Sequence, residues 1–136
     1  MAPRKLKITV IGTGYLGATH AACMAELGFE VLGVDVDEAK VAALQEGRVP
    51  FYEPDLEPLL RKHIESQTLR FTTSYEEAGK FGDVHFLCVG TPQRHGELAA
   101  DLTYIDAALE SLAPHLAKDS LVVGKSTVPV GTADRL

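Results

Sequence analysis

Cysteine is scarce in this sequence, and the histidines form no recognisable site. Cys23 and Cys88 are the only cysteines, and they make neither a CxxC pair nor a metal-binding spacing. We expect both to be small buried apolar residues rather than nucleophiles. The histidines show no HxxxH or histidine–carboxylate spacing, so we predict no metal site. They are His20, His63, His85, His95 and His115.

Long apolar runs and blocks of like charge are also missing. No stretch is long enough to span a bilayer, and residues Met1 to Lys7 do not resemble a signal peptide. The net charge of −6 is spread along the chain, which argues against nucleic acid or an anionic membrane as the main partner. We therefore expect a cytoplasmic protein whose main partner is neither nucleic acid nor a membrane.

The sequence does contain a glycine-rich turn in a favourable context. The segment ITVIGTGYLG places an apolar, strand-like run directly before Gly12-x-Gly14-x-x-Gly17, and a helical pattern follows. This is the strand–turn–helix arrangement of a dinucleotide-binding fingerprint, in which the glycines allow a tight turn, close approach of a diphosphate, and close helix packing. The helix N-terminus would add N–H groups and a positive dipole end.

An acidic residue follows at the expected distance. Asp35 ends the apolar run FEVLGVD, about 20 residues after the glycines, where a carboxylate accepts hydrogen bonds from ribose hydroxyls. A carboxylate there repels a 2′-phosphate, so Asp35 predicts NAD rather than NADP. The alternative is that Asp35 only ends a strand, with Asp37 capping the next helix.

Strand-like and helix-like segments alternate along almost the whole chain, which predicts an α/β fold. We expect a Rossmann-type, doubly wound parallel sheet in three layers, with a strand at Asp83–Val89 and an Asp101-capped helix that ends or kinks at Pro114. The other predicted strands are Lys7–Ile11, Glu30–Val34, Leu69–Thr72 and Ser120–Gly124. Predicted helices cover Tyr15–Leu27, Asp37–Leu44, a stretch carrying Leu56, Leu59, Leu60 and Ile64, and a short piece around Glu76–Ala78.

Several loops should meet at the carboxyl edge of that sheet, where ligands of such folds bind. Thr91, Ser126 and Thr127 would supply hydroxyls there, although such residues at strand ends often bond only local backbone. Glu53 is expected to be structural, with its carboxylate taking backbone N–H groups of the helix that follows it.

The chain stops four residues after Thr132, a candidate helix N-cap. We read residues 1–136 as one NAD-binding domain of a longer protein, truncated after the fifth strand.

Five strings, GTGYLG, VLGVD, GRVPFYEPDLEPLL, FLCVGTP and KSTVPVGT, occur in the order and spacing of the UDP-glucose/GDP-mannose dehydrogenase family. The resemblance covers essentially the whole chain and corresponds to that family's N-terminal NAD-binding domain. KSTVPVGT looks most like UDP-glucose 6-dehydrogenases. Leu16 and Cys88 replace a more usual Val and Ala.

The resemblance implies a two-step, NAD-dependent oxidation of UDP-glucose at C6 to UDP-glucuronate. It implies a UDP-sugar partner and a homodimer for the full-length protein. The family's cysteine nucleophile and most sugar-binding groups fall outside this sequence, so we expect this chain alone to be catalytically incomplete.

Carried over residue by residue, the resemblance gives Lys40 a place near the adenosine ribose, although Lys40 could instead be a solvated helix residue. Thr127 matches a threonine that helps to position a catalytic water. The cofactor-binding residues that the resemblance and the fingerprint give together are Gly12, Gly14, Tyr15, Leu16, Gly17, Asp35, Lys40, Val89, Gly90, Thr91, Pro92, Ser126 and Thr127.

Other readings remain open at this point. The chain could belong to a GDP-mannose or UDP-N-acetylmannosamine dehydrogenase, or it could be a stand-alone NAD-binding module without catalysis. A different NAD-dependent dehydrogenase, such as a 3-hydroxyacid enzyme, would not explain KSTVPVGT or VPFYEP.

Overall fold

A computed structural model describes residues 6–49, 53, 55–89, 103–116 and 120–124. In these ranges strands and helices alternate as the sequence predicts. The strands are Lys7–Ile11 (β1), Glu30–Val34 (β2), Leu69–Thr72 (β3), Val84–Leu87 (β4) and Leu121–Gly124 (β5). The helices are Tyr15–Glu26 (α1), Glu38–Gln45 (α2), Leu56–Glu65 (α3), Tyr75–Phe81 (α4) and Thr103–Leu112 (α5), followed by a 3₁₀ turn at Ala113–His115.

The five strands form one parallel sheet in the order β3-β2-β1-β4-β5. The chain builds outward from β1 in one direction through β2 and β3, and then returns to the other side of β1 for β4 and β5. The reversal creates a topological switch point between β1 and β4, the place where doubly wound folds bind ligands. The predicted Rossmann-type architecture is therefore confirmed.

Two apolar layers cover the two faces of the sheet. On one face, strand residues such as Val10 and Leu69 pack with Ala21 of α1 and Leu60 of α3. On the other face, Ile11, Leu32 and Leu87 pack with Ala78 of α4 and Leu112 of α5. Strands that are buried on both faces explain why β1 and β2 read as nearly continuous apolar runs.

Local sequence signals fix several helix ends. The Asp37 side chain accepts a hydrogen bond from the Lys40 N–H at 3.1 Å, so it caps α2 as predicted. Ser74 caps α4 in the same way, accepting from the N–H of Glu77 at 3.1 Å. α5 ends at Leu112, two residues before Pro114, and gives way to a 3₁₀ turn, in agreement with the prediction for that proline.

Two expectations were wrong. Strand β4 spans Val84–Leu87 and not Asp83–Val89, because its last ladder partner on β1 is Ile11, the final residue of that strand. Cys88 is buried as expected, but Cys23 is exposed. Each helical residue turns by about 100°, so Ala21, Ala22 and Ala25 face the sheet while Cys23 points away from it.

No helix within the described ranges is both long enough and apolar enough to cross a membrane.

Candidate cofactor site

The glycine loop lies between β1 and α1, at the carboxyl edge of the sheet, and hydrogen bonds tie the end of β1 and the first loop residue to the two neighbouring strands. The N–H of Gly12 donates to the carbonyl of Val34 at the end of β2, at 2.7 Å. On the other side, the N–H of Cys88 donates to the carbonyl of Ile11, also at 2.7 Å. The loop therefore spans the switch point, and its position is set by both halves of the sheet.

Two of the three glycines are required by the fold itself. Gly12 has a φ of +95°, and a Cβ on it would lie 2.8 Å from the backbone of Val89. A Cβ on Gly17 would lie 1.7 Å from the carbonyl oxygen of Gly12. A side chain at either position would push the loop out of place, since atoms at these distances overlap.

Gly14 differs from the other two glycines. A Cβ on this residue would meet no atom within 4 Å, so the fold leaves open space beside its backbone. Such space is what a diphosphate needs in order to approach the loop, which is the second glycine's part in the fingerprint. The residues present therefore fit a dinucleotide.

The N-terminus of α1 is electrostatically suited to an anion. Gly14 is its N-cap and offers no side chain to bond the first N–H groups, and the first turn carries no acidic residue. By contrast, α2 and α4 have side-chain caps and carry acidic residues in the first turn. The N–H groups and the positive dipole end of α1 are thus available to phosphate oxygens.

Asp35 lies directly after β2 and is buried, with a relative exposure of 8%. Its Oδ2 accepts hydrogen bonds from the backbone N–H and from the hydroxyl of Thr13, both at 2.9 Å. Its Oδ1 accepts from the N–H of Asp37 at 3.0 Å. The Lys40 ammonium lies 3.4 Å from Oδ2.

These contacts keep the Asp35 carboxylate charged. Burial raises its pKa, but the hydrogen bonds from Thr13 and Asp37 together with the charge of Lys40 outweigh burial, so the pKa lies below its ordinary value. The charge of Asp35 also affects Tyr75, whose pKa is raised by burial and by this charge. A buried, ionised carboxylate at the end of β2 can accept hydrogen bonds from a ribose and oppose an added phosphate.

Glu53 contacts the first residue of α1. The Tyr15 hydroxyl donates a hydrogen bond to its carboxylate at 2.9 Å. The pKa of Tyr15 is raised by this hydrogen bond and by the negative charge of Glu53. The backbone carbonyl of Glu53 accepts from the N–H of Leu56 at 3.1 Å. The expectation that the carboxylate itself takes helix N–H groups is therefore corrected: its described partner is the tyrosine.

Three apolar or aromatic side chains near the same edge of the sheet are exposed. Tyr15, Leu16 and Val36 are 56%, 43% and 76% exposed. They lie at the start of α1 and just after β2, so the carboxyl edge offers apolar surface beside the glycine loop and Asp35.

The structure brings most of the predicted residues to one edge of the sheet. Gly90, Thr91, Pro92, Ser126 and Thr127 lie outside the described residues, so their parts in the site stay predictions. The residues that do meet at this edge are Gly12, Gly14, Tyr15, Leu16, Gly17, Asp35, Lys40 and Val89.

Sequence reasoning missed Thr13, the middle residue of Gly-Thr-Gly. Its side chain is fully buried and bonds Asp35. The hydroxyl between two glycines was the only available signal for this contact. Within the described ranges, no group of three or more His, Cys, Asp or Glu side chains could hold a metal ion.

Residues 6–136 match the model of the UDP-glucose/GDP-mannose dehydrogenase family, NAD binding domain. The chain belongs to this family. Its cofactor is NAD, which agrees with the prediction from the glycine loop and Asp35.

Relatives within the family carry different substrate names. A UDP-glucose 6-dehydrogenase of Rhizobium meliloti is 44% identical over 131 residues, covering 96% of this chain and 30% of the relative. A UDP-N-acetyl-D-mannosamine dehydrogenase of Methanocaldococcus jannaschii is 40% identical over 130 residues, covering 94% of this chain and 30% of the relative. The solved GDP-mannose dehydrogenase of Pseudomonas aeruginosa superposes with a TM-score of 0.89 at 36% identity, covering 93% of this chain and 30% of the other.

The chain thus spans about 30% of the length of these family members. Membership shows a nucleotide-sugar dehydrogenase fold and an NAD cofactor. The substrate varies among the relatives even though the matched part has one architecture.

Proposed function

We propose that this chain is the NAD-binding domain, residues 1–136, of a UDP-glucose 6-dehydrogenase. The parent protein would oxidise the C6 alcohol of UDP-glucose to the carboxylate of UDP-glucuronate. The proposed binding of NAD is supported by the open glycine loop beside the buried carboxylate of Asp35. The substrate part is supported by the KSTVPVGT segment and by UDP-glucose 6-dehydrogenases among the relatives.

The electron count of the proposed reaction requires two equivalents of cofactor. Oxidation of an alcohol to an aldehyde removes one hydride and one proton. Addition of water to the aldehyde level gives a hydrate, and its oxidation removes a second hydride and two protons to leave the carboxylate. NAD, when bound, supplies the hydride acceptor for each oxidation.

The described residues would then serve to bind and orient. The backbone around Gly14 and the N-terminal turn of α1 bind the diphosphate, and Asp35 accepts from the adenosine ribose. Lys40 lies against Asp35 and keeps its charge balanced. Leu16 belongs to the loop that binds the diphosphate, and Val36, next to Asp35, provides exposed apolar surface for the adenine. Beyond the described residues, Thr127 would help to position the water of the second oxidation.

Turnover by this chain alone should be negligible, because the sequence lacks the family's cysteine nucleophile motif and most sugar-binding groups. The test is to mix the purified chain with UDP-glucose and NAD and follow NADH absorbance. Sustained turnover would contradict the proposal that catalysis needs the rest of the parent protein.

Substrate choice is tested on the protein made from the complete coding sequence. We expect NADH formation with UDP-glucose to exceed that with UDP-N-acetylmannosamine or GDP-mannose by at least tenfold in kcat/KM, about 1.4 kcal/mol of discrimination. A preference for either of the other two nucleotide sugars would replace the proposed substrate. We also propose that the full-length protein is a homodimer. Light scattering of the same sample tests this, and a monomer mass would contradict it.

A stand-alone NAD-binding module is the second candidate, because the glycine loop and Asp35 are complete within this chain. A stop codon directly after Leu136 in the genomic sequence would favour this candidate. An open reading frame that continues into a substrate domain would favour the dehydrogenase.

A further inference from the structure

Thr13 is buried inside the glycine loop, and it bonds Asp35 twice. Its N–H and its hydroxyl both donate to Oδ2 of Asp35, each at 2.9 Å. The side chain has no measurable exposure, so solvent does not compete for the hydroxyl. A hydrogen bond from a neutral hydroxyl to a buried carboxylate is of the stronger, charge-assisted kind.

The fold fixes the direction of the Thr13 hydroxyl through the methyl group on the same carbon. A Cβ built on Gly33 of β2 would lie 3.3 Å from Cγ2 of Thr13 and 2.5 Å from the ring of Phe71. The missing side chain of Gly33 therefore makes room for the methyl of Thr13 and the ring of Phe71. A β-branched side chain has few χ1 rotamers, so seating the methyl there directs the hydroxyl toward Asp35.

The donors are divided unequally between the two oxygens of the carboxylate. Oδ2 accepts from both Thr13 donors and lies 3.4 Å from the Lys40 ammonium. Oδ1 accepts only from the Asp37 N–H among the described donors. Each carboxylate oxygen has about two lone-pair positions, so the remaining capacity lies on Oδ1.

We propose that Thr13 is a positioning residue for cofactor selection, which holds Oδ2 of Asp35 and so presents Oδ1 to a hydroxyl of the adenosine ribose. The proposal rests on the NAD role of this domain. A carboxylate held in this way gives up little orientational freedom when the ribose binds, and it cannot swing away from a 2′-phosphate. Thr13 would thus favour NAD and disfavour NADP without touching either cofactor through its side chain.

Two matched pairs of proteins separate the effect of the Thr13 hydroxyl on cofactor binding from the effect of its methyl group. Wild type and Thr13→Val differ in the hydroxyl at constant shape. Thr13→Ser and Thr13→Ala both lack the methyl and differ only in the hydroxyl. Calorimetric titration with NAD and with NADP gives two dissociation constants for each protein, and thermal unfolding reports whether each one is folded.

We expect Thr13→Val to weaken NAD binding roughly tenfold and NADP binding much less, so the preference for NAD falls. Thr13→Ser should keep the preference within about threefold of wild type, and Thr13→Ala should lose it. NAD affinity should fall at acidic pH as Asp35 becomes protonated. This fall should occur at higher pH in Thr13→Val but not in Thr13→Ser, because only the valine variant loses a hydrogen-bond donor to the carboxylate.

An unchanged ratio of NAD to NADP affinity in Thr13→Val would overturn the proposal. If the valine variant does not fold, equal ratios in the serine and alanine variants would overturn it instead. If the wild type binds NAD and prefers it, and the variants share this preference, only the role of Thr13 is refuted. Wild-type protein that binds neither cofactor refutes the cofactor role of the domain together with the proposal.

Discussion

The hydroxyl of Tyr15, the first residue of α1, donates a hydrogen bond at 2.9 Å to the carboxylate of Glu53, which precedes α3. The two residues are 38 positions apart in sequence. The bond therefore joins the N-terminal ends of two helices beside the glycine loop. It also places a negative charge next to a phenol, which changes how that phenol ionises.

Glu53→Gln should lower the pKa of Tyr15 toward the ordinary value of 10.0. The carboxylate accepts from the protonated phenol and repels the phenolate, so its charge is what raises the pKa. The measurement is the phenolate absorbance during an alkaline titration of wild type and variant. Tyr15→Phe identifies which part of the titration belongs to Tyr15. If Glu53→Gln leaves that part where it is in wild type, the bond does not form in solution.

Substitution by alanine should affect mainly stability at Gly17 and mainly NAD binding at Gly14. Gly17→Ala should destabilise the fold by roughly 3 kcal/mol or more, because its Cβ would overlap the Gly12 carbonyl. Gly14→Ala should leave the fold nearly as stable, since nothing lies within 4 Å, yet weaken NAD binding roughly tenfold by blocking the diphosphate.

Thermal unfolding and NAD titration of both glycine variants provide the check. If Gly14→Ala binds NAD as tightly as wild type, the diphosphate does not need the space beside Gly14. If Gly17→Ala unfolds at the wild-type temperature, the fold tolerates a Cβ at position 17.

His85 of β4 should make folding stability depend on pH near neutrality. The ring is fully buried, and its Nδ1 lies 2.5 Å from the Thr9 hydroxyl. Its Nε2 has no hydrogen-bond partner among the residues that the structure describes. Burial lowers the pKa of His85, an effect that its contacts with Gly82 and Asp83 only partly oppose. The unfolded chain therefore binds this proton at a higher pH than the folded chain does.

Because the pKa of His85 is lower in the folded state than in the unfolded state, the free energy of unfolding should fall as pH drops below about 6.5, the ordinary histidine value. The fall should end once the pH is below the pKa of His85 in the folded state. Asp35, Glu26 and Glu76 have lowered pKa values, so they affect stability in a separate, more acidic pH range, below their ordinary values of 3.8, 4.5 and 4.5. Urea unfolding at pH 8 and pH 5.5 separates the two pH ranges.

His85→Asn is the matched variant, because its amide can still meet Thr9 but does not titrate. It should be less stable than wild type at pH 8 and lose less stability between pH 8 and pH 5.5. Equal losses in the two proteins would show that His85 is not the group responsible.

Local patterns predicted the scaffold well. The bounds of β1, β2 and β3 agree with the prediction, because apolar runs bounded by glycine and polar residues determine them. The Asp37 cap was also predictable, since its hydrogen bond to the Lys40 N–H spans three residues. Signals of this kind need only neighbours along the chain.

Contacts that depend on helix phase or on distant residues were not predicted. The exposure of Cys23 depends on which face of α1 meets the sheet. The Thr13–Asp35 bond joins residues 22 apart and needs Gly33 to leave room for a methyl group. The partner of Glu53 comes from another helix. None of these relationships leaves a periodic or capping signal in the sequence.

We propose that Asp35 makes this domain select NAD, and two substitutions that each remove one negative charge test this role. Asp35→Asn removes the carboxylate that lies beside the glycine loop. Glu46→Gln removes one negative charge from the exposed C-terminal end of α2, where Glu46 pairs with Arg48. Any effect of net charge alone should appear equally in both variants.

The decisive measurement is calorimetric titration of wild type, Asp35→Asn and Glu46→Gln with NAD and with NADP. We predict that wild type and Glu46→Gln bind NAD at least tenfold more tightly than NADP, and that Asp35→Asn loses most of this preference. Equal affinity of the wild-type chain for the two cofactors, or an undiminished preference in Asp35→Asn, would show that Asp35 does not select the cofactor.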